Sequence, residues 1–281
     1  ASLLGVPFHL IAHDDHAFAN YLPKRFRGWA SDNFASAYRS AASQLCISPM
    51  MIGAYEERYG VKGQLLLPSR DDSNPIFDNV PIQLGMNKKM LAFAYAGSLH
   101  GETAIQQLIE FGVQCAKDGH RLIVYSPQSR DIERLASGRI SNIEFNEPVP
   151  SKTLLENLYA KADVLLALGS FADEHRETVS TLFPSKLADY SSLGLPVLVW
   201  APEYASIIQF LRQCPDNADL VVSPNPSDLR PVIKLLAESP EHRKKLGQAM
   251  FALGKKYFSS EAAWEILKGA LLSSNTGKCN A

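Results

Sequence analysis

The residues best placed to do chemistry lie within 180–200, STLFPSKLADYSSLGLPVLVW. The string reads as a loop, a helix, a glycine stop and a buried strand. Ser180 or Thr181 can cap the helix, and Pro184 suits its first turn, where a missing N–H costs nothing. Lys186 falls in that same turn, where the helix dipole disfavours a cation unless an anion is near. A helix N-terminus presenting free N–H groups, joined by the lysine ammonium, would make a phosphate site. Asp189, one turn on and on the same face, would accept hydrogen bonds from ribose hydroxyls. A plain amphipathic helix with a Lys186–Asp189 surface pair fits the same residues. Gly194 would end the helix and Pro196 begin the strand.

Three other clusters carry reactive side chains. His13, whose type titrates near about pH 6.5, suits proton transfer to or from an acceptor hydroxyl, with Asp14 and Asp15 beside it; a histidine that merely finishes a strand reads the same way. His13 and His16 bracket the two acids in a pattern that can bind metal, but a polar turn gives the same string, and no metal site is assigned. The stretch 169–181 holds Asp173, Glu174, His175, Arg176 and Glu177, the mark of a solvated loop or of a lid over a sugar. The segment 21–29, YLPKRFRGW, interleaves Lys24, Arg25 and Arg27 with Tyr21, Phe26 and Trp29. It fits a surface loop, peripheral contact with an anionic membrane, or a grip on a phosphorylated acceptor.

Composition narrows the field. The 281 residues are 46% hydrophobic and 20% charged, which excludes a disordered or fibrous chain and suggests two domains. Lys plus Arg number 28 against 29 Asp plus Glu, so the basic excess of a nucleic-acid binder is missing. No run approaches the ~18 apolar residues of a membrane-spanning helix. Cys46, Cys115, Cys214 and Cys279 are far apart and form no CxxC, and every Asn-x-Ser/Thr has Pro in the middle. A reducing, cytoplasmic setting is expected, peripheral at the inner membrane surface if 21–29 touches lipid. GxGxxG, HExxH, GxSxG and the Walker loop are all absent: Gly254-Lys255 and Gly277-Lys278 have Ala249 and Leu272 where a Walker loop needs glycine.

The elements that must position these residues alternate along the chain. Strands are expected over 8–12, 45–48, 64–67, 91–96, 121–126, 163–168, 196–200 and 219–222. Helices are expected over 31–43, 49–59, 102–117, 152–160, 184–193, 204–212, 228–238 and 262–272. Strands apolar throughout are buried on both faces, so the fold class is α/β with doubly wound parallel sheets. The polar, turn-rich stretch 69–89 suggests domains at 1–84 and 85–259, followed by a helix and frayed tail at 260–281. The first domain carries only three strands, half of a nucleotide-binding unit. A preceding chain segment, a second chain or self-association is expected to complete its sheet.

With the phosphate segment in hand, the sequence resembles the GT-B glycosyltransferases, particularly the family 4 group of nucleotide-sugar-dependent retaining enzymes. The shared pattern is Pro184-Ser185-Lys186, then Asp189-Tyr190, then Gly194-Leu195-Pro196-Val197. Ala94-Tyr95-Ala96-Gly97-Ser98 resembles the family's first strand and glycine turn of the C-terminal domain, and 142–164 the stretch that lines its base pocket. Leu4-Gly5-Val6-Pro7 with His13-Asp14, and 42–60, resemble the later half of its N-terminal domain.

The resemblance implies a GT-B fold of two Rossmann-like domains, the first incomplete, and a transferase that moves a sugar from a nucleoside-diphosphate sugar. The donor would be a UDP- or GDP-sugar, the acceptor a glycan or lipid-linked sugar, and no metal or other cofactor is required. Asp189 matches the second carboxylate of the family's Glu-x7-Glu motif, on the ribose. Phe183, Pro184, Ser185 and Lys186 match the diphosphate loop, Gly97 and Ser98 lie near the same phosphates, Asn146 and Val149 flank the base, and His13 or Asp14 faces the acceptor. This sequence departs from the family at Thr181, where the first carboxylate would fall, and at Ser98 and Thr103, near the usual Arg and Lys. His100, Lys186 and Arg130 are the cations left. A non-catalytic scaffold of the same fold is the alternative these departures raise, with a sugar-nucleotide epimerase a third.

Overall fold

A computed structural model describes residues 6–15, 22–77, 81–99, 101–140 and 142–273. Tyr21, His16, His100 and Cys279, with 1–5 and the other tail residues, lie outside the described residues.

The first sheet is small. Strands β1 (His9–Ala12), β2 (Ser43–Cys46) and β3 (Gln64–Leu65) lie parallel in that order, joined by helices α1 (Lys24–Ser40) and α2 (Pro49–Tyr59). Phe34 and Tyr38 of α1 meet Tyr55 and Tyr59 of α2 with ring centroids 5.1–6.0 Å apart, an aromatic cluster that fixes how the two helices lean on the strands. Ser48 caps α2 by accepting from Met51 N–H, and Pro49 takes its first position.

The second sheet has six strands, all parallel: β4 (Ala92–Ala96), β5 (Arg121–Tyr125), β6 (Ile143–Asn146), β7 (Val164–Leu168), β8 (Val197–Trp200) and β9 (Asp219–Val221). Their order is β6-β5-β4-β7-β8-β9, so the chain reverses direction across the sheet between β4 and β7. The crossovers are α3 (Glu102–Lys117), α4 (Ser129–Ala136), α5 (Ser151–Lys161), the short α6 (Arg176–Thr181) and α7 (Lys186–Tyr190), and α8 (Ser206–Arg212); α9 (Arg230–Glu238), α10 (Pro240–Tyr257) and α11 (Ser260–Ser273) follow β9. β4 alternates by size: Phe93 and Tyr95 enter the core beneath α3, while Ala92, Ala94 and Ala96 share the other face with Leu187, Ala188 and Tyr190 of α7. The alanine face lets α7 lie close to the strand. That second core runs on without a break into Tyr38, Met51 and Tyr55 of the small sheet's unit.

The connector between the sheets is held by two buried arginines. Arg70 donates to the carbonyl and hydroxyl oxygens of Ser191, 3.1 and 3.0 Å away. Arg243, fully buried on α10, donates to the carbonyls of Leu84, Met86, Leu236 and Ala237. Both guanidiniums are held below their ordinary pKa by burial, yet each keeps enough acceptors to remain a structural tie.

Several expectations need correction. Of the expected loop 21–29, residues 24–29 are instead the first turns of α1, with Pro23 just before them and Gly28 tolerated inside the helix. Expected loop 169–181 contains a 3-10 turn, Asp173–His175, and α6; Ser170 organises it by accepting from Ala172 N–H. Ser180 and Thr181 therefore end a helix and cap none: both hydroxyls donate back to Glu177 O. Strand β6 and helices α4 and α10 were not among the expected elements. The helix expected over 184–193 is tighter, α7 ending at Tyr190 before a turn that Gly194 closes with φ 61°.

Gly254 of α10 tests the connector. A methyl there would overlap the Arg70 guanidinium and the Ser191 hydroxyl. Gly254→Ala should cost about 1–3 kcal/mol in overpacking, measured by urea unfolding, with Gly53→Ala, which has open space inside α2, as the control that should instead stabilise by about 0.5–1 kcal/mol.

Candidate functional site

Parallel sheets bind ligands at the carboxyl ends of their strands, where the order reverses. Here that point lies between β4 and β7, and the two strands pair only through Phe93 with Val164 and Ala94 with Leu165. Beyond Ala94 they part. The buried hydroxyl of Tyr190 sits at the gap, accepting from Ala96 N–H at 2.9 Å and lying 3.4 Å from the carbonyls of Ala96 and Leu166. It satisfies the groups that the lost ladder leaves open, and it fixes α7 against the sheet. The crevice above has a volume of about 440 Å³ and is lined by Tyr95, Ser98, Gly169, His175, Ser185 and Lys186, among others.

Lys186, first residue of α7, sends its ammonium over the ring of Tyr95, 4.0 Å from the centroid. No carboxylate pairs with it among the described residues, and burial lowers its pKa to about 7. Gly97, in a turn with φ 134°, makes room: a Cβ there would lie 3.0 Å from Nζ. The amides of Phe183, Ser185 and Lys186 have no intramolecular acceptor among the described residues, whereas those of Leu187 and Ala188 bond back to Pro184 and Ser185. Phe183 itself is buried edge-on to Phe210, which anchors the loop. Free N–H groups beside an uncompensated ammonium form a place for a polyanion.

Side chains from neighbouring strands shape the rest. Gln107 on α3 donates to the carbonyls of Gly169 and Trp200, 3.1 Å each, joining the ends of β7 and β8. Ser170 Oγ lies 2.9 Å from His175 Nδ1. Gln128 accepts from Leu99 N–H and so ties the β4 turn to the β5 loop. Among the described residues no three His, Cys, Asp or Glu side chains are grouped to hold a metal ion.

The structure brings together Gly97, Ser98, Phe183, Pro184, Ser185 and Lys186. Asp189 turns elsewhere: it is half-buried beside Arg70 and Asp71, and makes no pair with Lys186. Burial and Asp71 raise its pKa, while Arg70 opposes them. Asn146 ends the edge strand β6 and donates its amide to Val124 O and Glu144; Val149 packs on the core, and neither lines the crevice. His13 is exposed in a separate groove with Asp72 and Trp264. Asp14 offers its carbonyl to Tyr55, and Asp15 is buried in an ion pair with Arg58 at 2.7 Å. Arg130 pairs at the surface with Glu147. Tyr95, Gln107 and the hydroxyl role of Tyr190 escaped the sequence reading; a tyrosine between alanines in a buried strand is the signal that pointed to the first.

No protein-family model matches this sequence, and no curated protein sequence matches it. Solved structures do. WaaG, a glycosyltransferase involved in lipopolysaccharide biosynthesis, aligns with TM-score 0.63 and 16% identity over 94% of this chain and 74% of its own. HepE of Anabaena, in complex with UDP and glucose, aligns with TM-score 0.71 and 15% identity over 97% and 73%. Sucrose-phosphate synthase of Thermosynechococcus elongatus gives 0.68 and 14% over 95% and 67%. At these identities the likeness establishes the fold, which is that of the GT-B glycosyltransferases.

Removing the Tyr190 hydroxyl should show what holds the crevice open. Tyr190→Phe leaves the buried Ala96 N–H without its acceptor at a cost of about 1–3 kcal/mol. Amide hydrogen exchange at Ala96 should accelerate in step; unchanged exchange and stability would contradict the role given to this group.

Proposed function

We propose that the chain binds a nucleoside-diphosphate sugar in the crevice between β4 and β7 and transfers the sugar to a hydroxyl acceptor. The observation that carries this reading is the Lys186 ammonium, half-buried over Tyr95 without a carboxylate among the described residues, beside unbonded amides at the switch point of a GT-B fold. As the anomeric C–O bond breaks, its electron pair leaves on the diphosphate oxygen. Lys186 and the amides of Phe183, Ser185 and Lys186 stabilise that charge, a task preorganised dipoles perform in a water-poor site without a metal. The acceptor oxygen forms the new bond to the anomeric carbon and gives up its proton; His13 and Asp14 take that role by the motif resemblance alone and do not line the crevice.

UDP and UDP-glucose are the ligands named for HepE, which supports a uridine donor over a guanosine one. Asp189 on the ribose, Asn146 and Val149 near the base, a glycan or lipid-linked acceptor, a retaining outcome and contact of the exposed Phe26 and Trp29 with a membrane surface complete the proposal. They rest on the motif resemblance. Among the described residues no helix is long and apolar enough to cross a membrane.

A second reading, a chain that binds sugar nucleotides without turning them over, is favoured by Thr181. Its buried hydroxyl bonds to Glu177 O at the place where the resemblance would put a carboxylate.

Calorimetry with UDP, GDP and their sugars tests the site. Binding should weaken about 10- to 100-fold in Lys186→Ala, the worth of a hydrogen bond to a charged group. Failure of the folded protein to bind any of them sinks the proposal, and binding with no sugar transfer selects the second reading.

The proton balance gives an independent check. Lys186 titrates at about 7 when folded and 10.5 by default. Between those values the unfolded chain holds a proton that the folded one has lost, so ligand-free stability rises with pH across this window. A bound diphosphate favours the ammonium, so binding takes up a proton. The dissociation constant for UDP should therefore rise from pH 7 to 9 by up to about tenfold per unit, and Lys186→Met should flatten the slope.

A further inference from the structure

A cavity lies at the opposite end of the second sheet from Lys186. It has a volume of about 1090 Å³ and opens before the amino ends of β4 and β5, bounded by Lys88 and Lys89 on one side and by α9 along its length on the other. Four cations line it, Lys88, Lys89, Arg230 and Lys234, against two carboxylates, Asp118 and Glu238. They are not equally engaged. Lys88 is held 2.6 Å from Asp163, but Arg230 is 3.5 Å from Asp118 and Lys234 3.8 Å from Glu238, long pairs on exposed side chains that water screens. Lys89 is exposed and has no carboxylate partner among the described residues.

At the back of the cavity stands His120, only 3% exposed. Its Nδ1 accepts from Leu91 N–H at 3.2 Å, so in the neutral ring the proton sits on Nε2. Nε2 has no partner among the described residues, and since it is not a sealed, unsatisfied atom it reaches the cavity. A buried, fixed N–H donor beneath a rim with excess positive charge is built for an acceptor-rich anion.

We propose that this cavity is a second anion site, separate from the Lys186 crevice, in which Lys89, Arg230 and the Nε2 hydrogen of His120 hold a phosphate group. The phosphate arrives either on a free phosphorylated molecule or on a lipid headgroup; the chemistry of recognition is the same. The inference does not depend on the donor site, because β4 and β5 separate the two ends of the sheet by five residues each, about 16 Å of strand.

Calorimetric titration of the whole chain with inorganic pyrophosphate at low salt, where exposed charges are least screened, tests it. The wild type should bind two equivalents. Lys89→Glu with Arg230→Glu, both exposed and so compatible with folding, should abolish one and leave the other; Lys186→Ala should abolish the complementary one. A parallel arm uses vesicles of phosphatidylglycerol in phosphatidylcholine: sedimentation with them, lost in the double charge reversal but kept in Lys186→Ala, identifies the lipid source. A wild type whose pyrophosphate and vesicle binding both survive the double reversal overturns the proposal, as does binding to neither. If one equivalent binds and only the double reversal removes it, this site stands and the donor-site reading falls.

Discussion

The arrangement of the larger unit turns on one hydroxyl group. A parallel sheet whose strand order reverses must open at the reversal, and opening leaves backbone groups without partners in the least hydrated part of the molecule. Tyr190 answers that constraint: its ring is buried among the alanines of β4, and its oxygen takes the Ala96 N–H that β7 no longer reaches. Because Tyr190 is the last residue of α7 and Lys186 the first, the bond that closes the gap also sets where the ammonium lies. The gap, the helix and the charge form one construction. The size alternation of Ala92-Phe93-Ala94-Tyr95-Ala96 serves it on both sides, small where α7 approaches and aromatic where Lys186 needs a surface to rest on.

An uncompensated lysine in such a place is costly in the ligand-free chain, and the structure shows why it is tolerated. The ring face of Tyr95 returns part of the lost hydration through its quadrupole. On the proposed reading the remaining cost is released when an anion binds, which links the site's affinity to the fold's stability. The arginines behave differently. Arg70 and Arg243 are buried too, but each donates to carbonyl or hydroxyl oxygens, Arg70 to Ser191 and Arg243 to the connector and to the end of α9.

Much of this was legible in the residues. Strands such as 91–96, 164–168 and 196–200 are apolar throughout and bounded by polar turns, and the exact helices 49–59 and 102–117 carry proline or glycine punctuation at their starts. The motif from Pro184 to Val197 located the loop whose amides prove unbonded. What escaped was set by tertiary contact. β6 contains Glu144 and Asn146 because an edge strand keeps one side wet, so its pattern lacks the apolar signal of its neighbours. α4 and α10 are rich in charge, and nothing local distinguishes Arg243 from an exposed arginine until Leu84 and Met86 fold back onto it. Helical spacing put Asp189 on the face of Lys186, but in the fold the Lys186 ammonium lies over Tyr95 while Asp189 faces Arg70 of the connector.

The staples that join the two units cross long distances in the chain: Ser48 to Thr181 over 133 residues, Arg70 to Ser191 over 121, Arg243 to Leu84 over 159. A ribosome delivers residues from one end, so a hundred-odd residues take on the order of ten seconds to emerge. Throughout that interval the newborn small sheet and its connector have neither the hydroxyls nor the carbonyls that will hold them. The early part of the polypeptide thus waits for groups that arrive in sequence, Thr181, then Ser191, and Arg243 of α10 last.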